Sequence, residues 1–153
     1  MDRTFFKLFF LCEDGEAMNR ALALKEKLAK NCRDQVIIDA DFYEYVRLSH
    51  PHLRENALAH VAGADMIIIT AKGTEALPGF IQEWMNEIGN LRPGNIVCAE
   101  FLGATSPEKA ATFHGFMDKW AERFGSFLFS NLFPNPKTGG TVSGCFLPSL
   151  TPS

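Results

Sequence analysis

Short continuous apolar segments alternate along this chain with longer segments in which apolar residues recur at helical spacing. The clearest apolar segment is 66–69, which reads MIII and is rich in the β-branched residues that favour strands. It lacks polar alternation, as is typical of a strand in a parallel sheet that helices cover on both faces. The alternation of the two patterns therefore predicts an α/β fold.

Five segments have the pattern of strands, and four helical segments separate them. The strand segments are 5–12, 35–42, 66–69, 95–102 and 127–130. Strands that alternate with helices favour parallel pairing through right-handed crossovers. We therefore predict a Rossmann-like, three-layer α-β-α domain with a five-stranded parallel sheet in the flavodoxin-like order 2-1-3-4-5.

The C-terminal residues differ in composition from the rest of the chain. Residues 132–153 contain one charged residue, Lys137, whereas the whole chain has 15 Lys or Arg and 18 Asp or Glu. Disordered tails usually combine low hydrophobicity with high charge, but this one contains Phe133 and Phe146. We therefore predict a flavodoxin-like domain at 1–131 and an irregular apolar tail at 132–153. Part of that tail is expected to pack on its own domain or on a second copy, which would make a homo-oligomer.

The composition argues against nucleic acid and against a membrane as partners. The formal net charge is −3 and the sequence pI is about 5.8. No run of Lys or Arg is long enough to follow a phosphate backbone. No apolar run approaches the roughly 18 residues of a membrane-spanning helix. The remaining partners are a small molecule or another protein.

The apolar start of the chain has the pattern of a strand and not of an export signal. It is interrupted by Lys7 and followed by Glu13 and Asp14, where a signal peptide has small cleavage-site residues. We therefore expect a cytoplasmic protein. The four cysteines include no C-x-x-C pair, and in that compartment they are expected to be reduced thiols.

Polar residues gather where the predicted strands end. In an open parallel sheet, ligands bind beyond the carboxyl ends of the strands, near the point where the strand order reverses. In the predicted order, that point lies between the loops after the first and third strands, and the fourth strand adds one acid. The candidate ligand-binding residues are Glu13, Asp14, Thr70, Lys72, Gly73, Thr74 and Glu100.

The acids of the first loop leave two interpretations open. Converging carboxylates could bind Mg²⁺, which prefers oxygen ligands, or share a proton as a general acid and base. Alternatively, Glu13, Asp14 and Glu16 only stabilise the positive end of the following helix. The same three carboxylates would repel the phosphate of FMN, which flavodoxins bind on a loop rich in Ser, Thr and Gly, so we expect no FMN.

The loop after the third strand suits an anion better. Lys72 stands beside Gly73 and Thr74, although the same residues fit an ordinary turn in which Thr74 caps the next helix. The chain contains no G-x-G-x-x-G and no P-loop, and no Ser-His-Asp or Cys-His set. His50 and His52 lack further ligands in the sequence, so we predict no metal site.

The start of the chain resembles a response-regulator receiver domain. Phe9 to Asp14 read FFLCED before a helix, and in that family an acidic pair after the first strand binds magnesium. The family's phosphoacceptor Asp ends the third strand, where this chain has Thr70. The resemblance implies a receiver-like fold that cannot accept phosphate.

A longer stretch resembles a group of small uncharacterised bacterial proteins. The matching segments are 51–55 (PHLRE), 62–69 (AGADMIII), Leu77-Pro78 and Trp84. Members often have a His before the glycine of the following turn, where this chain has Lys72. This resemblance implies a flavodoxin-like or receiver-like fold and supplies no catalytic residues.

Because no complete catalytic set is visible, we expect a non-catalytic binding or signalling module with a receiver-like fold. The alternative is a small enzyme that binds a phosphorylated or nucleotide-like metabolite at the carboxyl edge of the sheet. That alternative requires Glu13, Lys72 and Glu100 to line one pocket. Whether the protein is an enzyme stays open at this point.

Overall fold

The computed structural model describes residues 4–32, 36–92 and 94–133. Within this part of the chain, five parallel strands form one sheet in the order β2-β1-β3-β4-β5. The strands are β1 (Thr4–Cys12), β2 (Val36–Glu44), β3 (Met66–Ala71), β4 (Val97–Leu102) and β5 (Phe127–Ser130). The helices are α1 (Gly15–Cys32), α2 (Pro51–Ala62), α3 (Gly79–Leu91) and α4 (Ala111–Phe124). The predicted fold class and strand order are confirmed.

The sheet carries a hydrophobic core on each face. Helices α2, α3 and α4 cover one face, where Phe9 and Ile67 pack with Trp84. Helix α1 covers the other face, where Phe10 and Ile68 are fully buried. Successive strand residues point to opposite faces, so neighbours such as Ile67 and Ile68 belong to different cores. This explains why β1 and β3, inside the sheet, are apolar at nearly every position.

Two hydroxyl residues that precede helices in the sequence do not cap them. Ser49 lies in a 3-10 turn, where its Oγ donates to the Val46 carbonyl oxygen at 2.6 Å, so α2 begins at Pro51 without a side-chain cap. Thr74 is not the cap of α3 either, because that helix begins only at Gly79, directly after Pro78. Prolines near a helix start have a preset φ, and here they fix the first turn without a capping hydroxyl.

The prediction of four reduced thiols is wrong for one cysteine. Cys32, the last residue of α1, is disulfide-bonded, whereas Cys12 and Cys98 are free and buried. Burial raises the pKa of the Cys12 thiol to about 11, so Cys12 behaves as a small apolar residue. The spacing of the cysteines did not reveal this bond.

The structure describes only the first two residues of the predicted C-terminal tail. Leu132 and Phe133 pack against the core formed with α2, α3 and α4, and residues 134–153 lie outside the described residues. The proposed boundary between 131 and 132 therefore stays a prediction. Among the described helices, none combines the length and the apolar character needed to cross a membrane.

Candidate functional site

The loop between β1 and α1 consists of Glu13 and Asp14 alone. The Asp14 carboxylate accepts the Ala17 backbone N–H at 2.9 Å, and its carbonyl oxygen accepts the Met18 N–H at 2.8 Å. Asp14 is therefore the N-cap of α1 and satisfies donors that a helix start leaves without partners. This matches the alternative in which the acid serves the helix.

Glu13 joins the first loop to the third. Its backbone N–H donates to the Thr70 carbonyl oxygen at 2.9 Å, and its carboxylate accepts the Lys72 backbone N–H at 3.1 Å. The Lys72 side chain is exposed, and so is Thr74. The structure thus brings Glu13 and Lys72 together, through the backbone of Lys72.

Two further residues of the predicted set support the fold. Thr70 is fully buried, and its hydroxyl donates to the Ala17 carbonyl oxygen at 3.0 Å, which ties β3 to α1. Gly73 has φ +84°, and a Cβ there would lie 3.1 Å from the Leu102 side chain. Only glycine adopts this backbone without strain, and its small size lets the loops after β3 and β4 approach each other.

Arg20 places a positive charge at the carboxyl edge of the sheet. It extends from α1 to the loop after β4, where a Cβ on Gly103 would lie 3.1 Å from the guanidinium Cζ. Its Nη1 is 3.8 Å from Glu16 Oε1, a contact at the outer limit of an ion pair. Its Nε is buried and has no hydrogen-bond acceptor among the described residues. A buried donor without an acceptor is costly, so this position suits an acceptor from outside the chain.

Glu100 lies apart from these residues, in the core beneath α4. It is fully buried, and its Oε2 accepts the Ser130 hydroxyl at 2.8 Å and lies 2.7 Å from His114 Nδ1. Its Oε1 is buried with no partner among the described residues. The Phe133 ring stacks on His114 at 3.8 Å between centroids. The polar contacts of Glu100 thus lie on β5 and α4, whereas the carboxylate of Glu13 contacts the loop after β3.

The groups of this cluster change the pKa of the His114 imidazole. Burial disfavours its charged form, but the hydrogen bond to Glu100 and the negative charges of Glu100 and Asp118 together raise the pKa of His114 above its ordinary value. The buried carboxylate thus has a proton-binding partner. The hydroxyl of Ser130 contacts the carboxylate and not the imidazole, so the three residues do not form the nucleophile–base–acid order of a hydrolase triad.

Sequence reasoning missed Arg20, His114 and Ser130. One signal was available for two of them, because a Glu within an otherwise apolar strand needs buried partners. Glu100 pairs in register with Ser130 on β5, and His114 follows 14 residues later in the chain. Nothing in the local sequence distinguishes Arg20 from the other basic residues of α1.

Magnesium finds no support in the geometry. The described residues contain no group of three or more His, Cys, Asp or Glu side chains that could hold a metal ion. The carboxylates of Glu13 and Asp14 accept backbone donors of the chain instead. His60 Nδ1 lies 3.2 Å from Asp41 Oδ2, so this pair is one His and one Asp only.

The fold resembles several solved structures at low sequence identity. An oxidoreductase from Corynebacterium diphtheriae aligns with a TM-score of 0.61 at 10% identity, over 83% of this chain and 80% of that one. The flavoenzyme FerB, an NAD(P)H:(acceptor) oxidoreductase from Paracoccus denitrificans, gives 0.52 at 11% identity, over 82% and 75%. The diflavin flavoprotein A3 from Nostoc sp. gives 0.50 at 13% identity, over 84% and 75%. No family model and no curated protein matches the chain.

These comparisons confirm the predicted flavodoxin-like fold and correct two expectations. The interpretation as a receiver-like, non-catalytic module is wrong, because the structures that share this fold are an oxidoreductase and flavoproteins. The exclusion of FMN is wrong for the same reason. It considered only the acidic loop after β1, whereas the carboxyl edge of the sheet also includes Arg20 and the loops after β3 and β4.

Proposed function

We propose that this protein binds a flavin, FMN, at the carboxyl edge of the sheet and acts as a flavin-dependent redox protein. The observation that carries the proposal is the buried Nε of Arg20, which lies at this edge without an acceptor among the described residues. A guanidinium is well suited to bind phosphate oxygens through directed, charge-assisted hydrogen bonds. The likeness to an oxidoreductase and to flavoproteins supports the same choice of ligand.

The loop after β1 does not suit the phosphate of FMN, but Arg20 on the following helix does. At the start of α1, Asp14 already accepts the Ala17 N–H that a phosphate could otherwise take. Arg20 lies one to two turns further along the helix, against Gly103. We therefore assign the phosphate to Arg20 and to the loop at 103–107, where Thr105 and Ser106 add hydroxyl groups.

The loops after β3 and β4 would flank the flavin ring. Loop 72–78 begins at Gly73, whose missing side chain lets it lie against Leu102 at the end of β4. A bound flavin supplies the electron-transfer chemistry, and the protein binds, orients and shields it. In this arrangement, Arg20 holds the anionic end and the two loops position the ring.

The test compares FMN binding by the wild-type protein and by Arg20→Gln, using quenching of flavin fluorescence. Loss of a charged hydrogen bond is expected to weaken FMN binding about tenfold to a hundredfold. The matched control is Lys27→Gln, which removes an exposed positive charge from the same helix and is expected to leave affinity unchanged.

Riboflavin distinguishes the assigned contact from a general effect on the fold. It lacks the phosphate, so its affinity is expected to be the same in the wild-type protein and in Arg20→Gln. Absence of FMN binding by the wild-type protein, or equal FMN affinity in both proteins, would contradict the proposal.

A further inference from the structure

We propose that Glu100 and His114 are positioning residues, whose charged contact holds the β4–α4 connection (residues 103–110) in the shape that binds the flavin. This role rests on the proposed function, because the connection includes the loop at 103–107 that is assigned to the phosphate. Glu100 lies two residues before the end of β4, and His114 is the fourth residue of α4. Their contact therefore joins the chain on the two sides of the connection.

The contact between Glu100 and His114 is short, and only one of its two partners reaches water. Glu100 Oε2 lies 2.7 Å from His114 Nδ1. The Glu100 side chain is fully buried, whereas the imidazole is 21% exposed and can exchange a proton with water. A neutral imidazole can still donate from Nδ1. Loss of the proton therefore changes the charge of the pair without removing its hydrogen bond.

The strand end of the β4–α4 connection is held by other groups, none of which titrates. The Leu102 backbone N–H donates to Asn131 Oδ1 at 2.8 Å, and Asn131 Nδ2 donates to the Leu102 carbonyl oxygen at 2.9 Å. The Gly103 N–H donates to the Ala71 carbonyl oxygen at 2.9 Å. A change in the charge of His114 therefore acts on the helix end of the connection and leaves the strand end in place.

The charged groups that act on His114 both favour its protonated form. Burial opposes the charge, but the hydrogen bond and charge of Glu100 on β4, and the charge of Asp118 one turn along α4, together raise the pKa of His114. The segment that includes β5 adds no charge, because the Ser130 hydroxyl donates to Glu100 and the Phe133 ring stacks on the imidazole. The charged pair thus persists to a higher pH than an isolated histidine would allow.

Loss of this proton would weaken the hold on the helix end of the connection. A hydrogen bond between charged groups is about twice as strong as one between neutral groups. The Glu100 carboxylate, whose Oε1 has no partner among the described residues, would also lose the charge that compensates it. A flavin that binds the held connection would then bind less tightly. By linkage, flavin binding and protonation of His114 strengthen each other by the same factor.

The pH dependence of FMN affinity tests this role in the full-length protein. From pH 6 to pH 9, the wild-type protein is expected to lose about tenfold in affinity relative to His114→Gln, within the usual range for coupled sites. Glutamine keeps a neutral donor for Glu100 but does not titrate, and the titration of the FMN phosphate is common to both proteins. The control is His60→Gln, since His60 pairs with Asp41 at the surface. This variant is expected to lose affinity as the wild type does.

The two ways in which this experiment can fail are distinguishable. If the wild-type protein binds FMN with the same pH dependence as His114→Gln, the positioning role is overturned and the flavin site stands. Absence of FMN binding at every pH would overturn the flavin site and the positioning role with it.

An NMR titration of the flavin-free wild-type protein tests the positioning step without a variant. The amide resonances of 103–106 are expected to shift with the same midpoint as the His114 ring, whereas those of 22–28 on α1 are expected not to follow it. Saturating FMN is expected to raise the midpoint of His114 by about one pH unit, as a tenfold coupling requires. Resonances of 103–106 that do not follow His114, or an unchanged midpoint with FMN bound, would overturn the role.

Discussion

Glu100 shows how a single buried charge shapes this molecule. A carboxylate without exposure is costly unless other groups compensate its charge and its lone pairs. Here Glu100 Oε2 contacts both Ser130, on the neighbouring strand β5, and His114, on the covering helix α4. The cluster therefore links β4, β5 and α4 within the core. Its stability should depend on whether His114 carries a proton.

The raised pKa of His114 predicts the direction of a pH effect on stability. The folded state binds the proton more tightly than the unfolded state, so protonation favours folding. This contribution is complete below the ordinary pKa of 6.5 and is lost as the pH rises through the raised pKa of the folded protein. Urea unfolding from pH 6 to pH 9 should show a decline in the free energy of unfolding that His114→Gln lacks.

His60→Gln is the control for this measurement. His60 also pairs with an acid, Asp41, but both side chains are about half exposed, so the pair contributes little. The control protein should keep the pH dependence of the wild type. The same slope in His114→Gln as in the wild type would show that another group causes it.

At the scale of elements, α3 and α4 meet through a glycine. A Cβ on Gly89 of α3 would overlap the Phe124 ring of α4, so the absence of a side chain lets the ring lie directly on the helix. Phe124 also packs beside Trp120, whose indole N–H donates to the Met85 carbonyl oxygen at 2.8 Å. This close approach fixes the position of α4 over β4 and β5, and therefore over Glu100.

Gly89→Ala is therefore expected to destabilise the protein although alanine favours helices. Overpacking typically costs about 1–3 kcal/mol. Gly115→Ala is the matched control within α4, because a Cβ there meets nothing within 4 Å and should stabilise by about 0.5–1 kcal/mol. Chemical denaturation of both variants checks the pair. Stabilisation by both substitutions would show that α4 can shift away from α3.

At the scale of the whole molecule, the fold was predictable because it depends on patterns that are local in sequence. The apolar run at 66–69 predicted the central strand, and its position between helical segments predicted parallel pairing. The structure confirms both. The first residues of α2 and α3 were harder to predict, because Ser49 and Thr74 resemble helix caps. Ser49 donates to the Val46 carbonyl oxygen instead, and Thr74 lies several residues before α3 begins.

The candidate site was much less predictable, because its residues meet only through the tertiary structure. Glu100 was found but assigned to the wrong neighbours, since its partners depend on the register of β5 and on the packing of α4. Arg20 reaches Gly103 across the sheet edge, a contact between distant parts of the chain. The acidic first loop led to the wrong exclusion of FMN because its charges were counted without Arg20.

Hydrogen exchange of the full-length protein with and without saturating FMN tests the central claim most directly. A flavin at the carboxyl edge should slow exchange of the amides in the loops at 72–78 and 103–107. The turns at the opposite edge, near 63–65 and 125–126, should exchange at unchanged rates. Protection confined to the opposite edge, or no protection anywhere, would contradict a flavin site at the carboxyl end of this sheet.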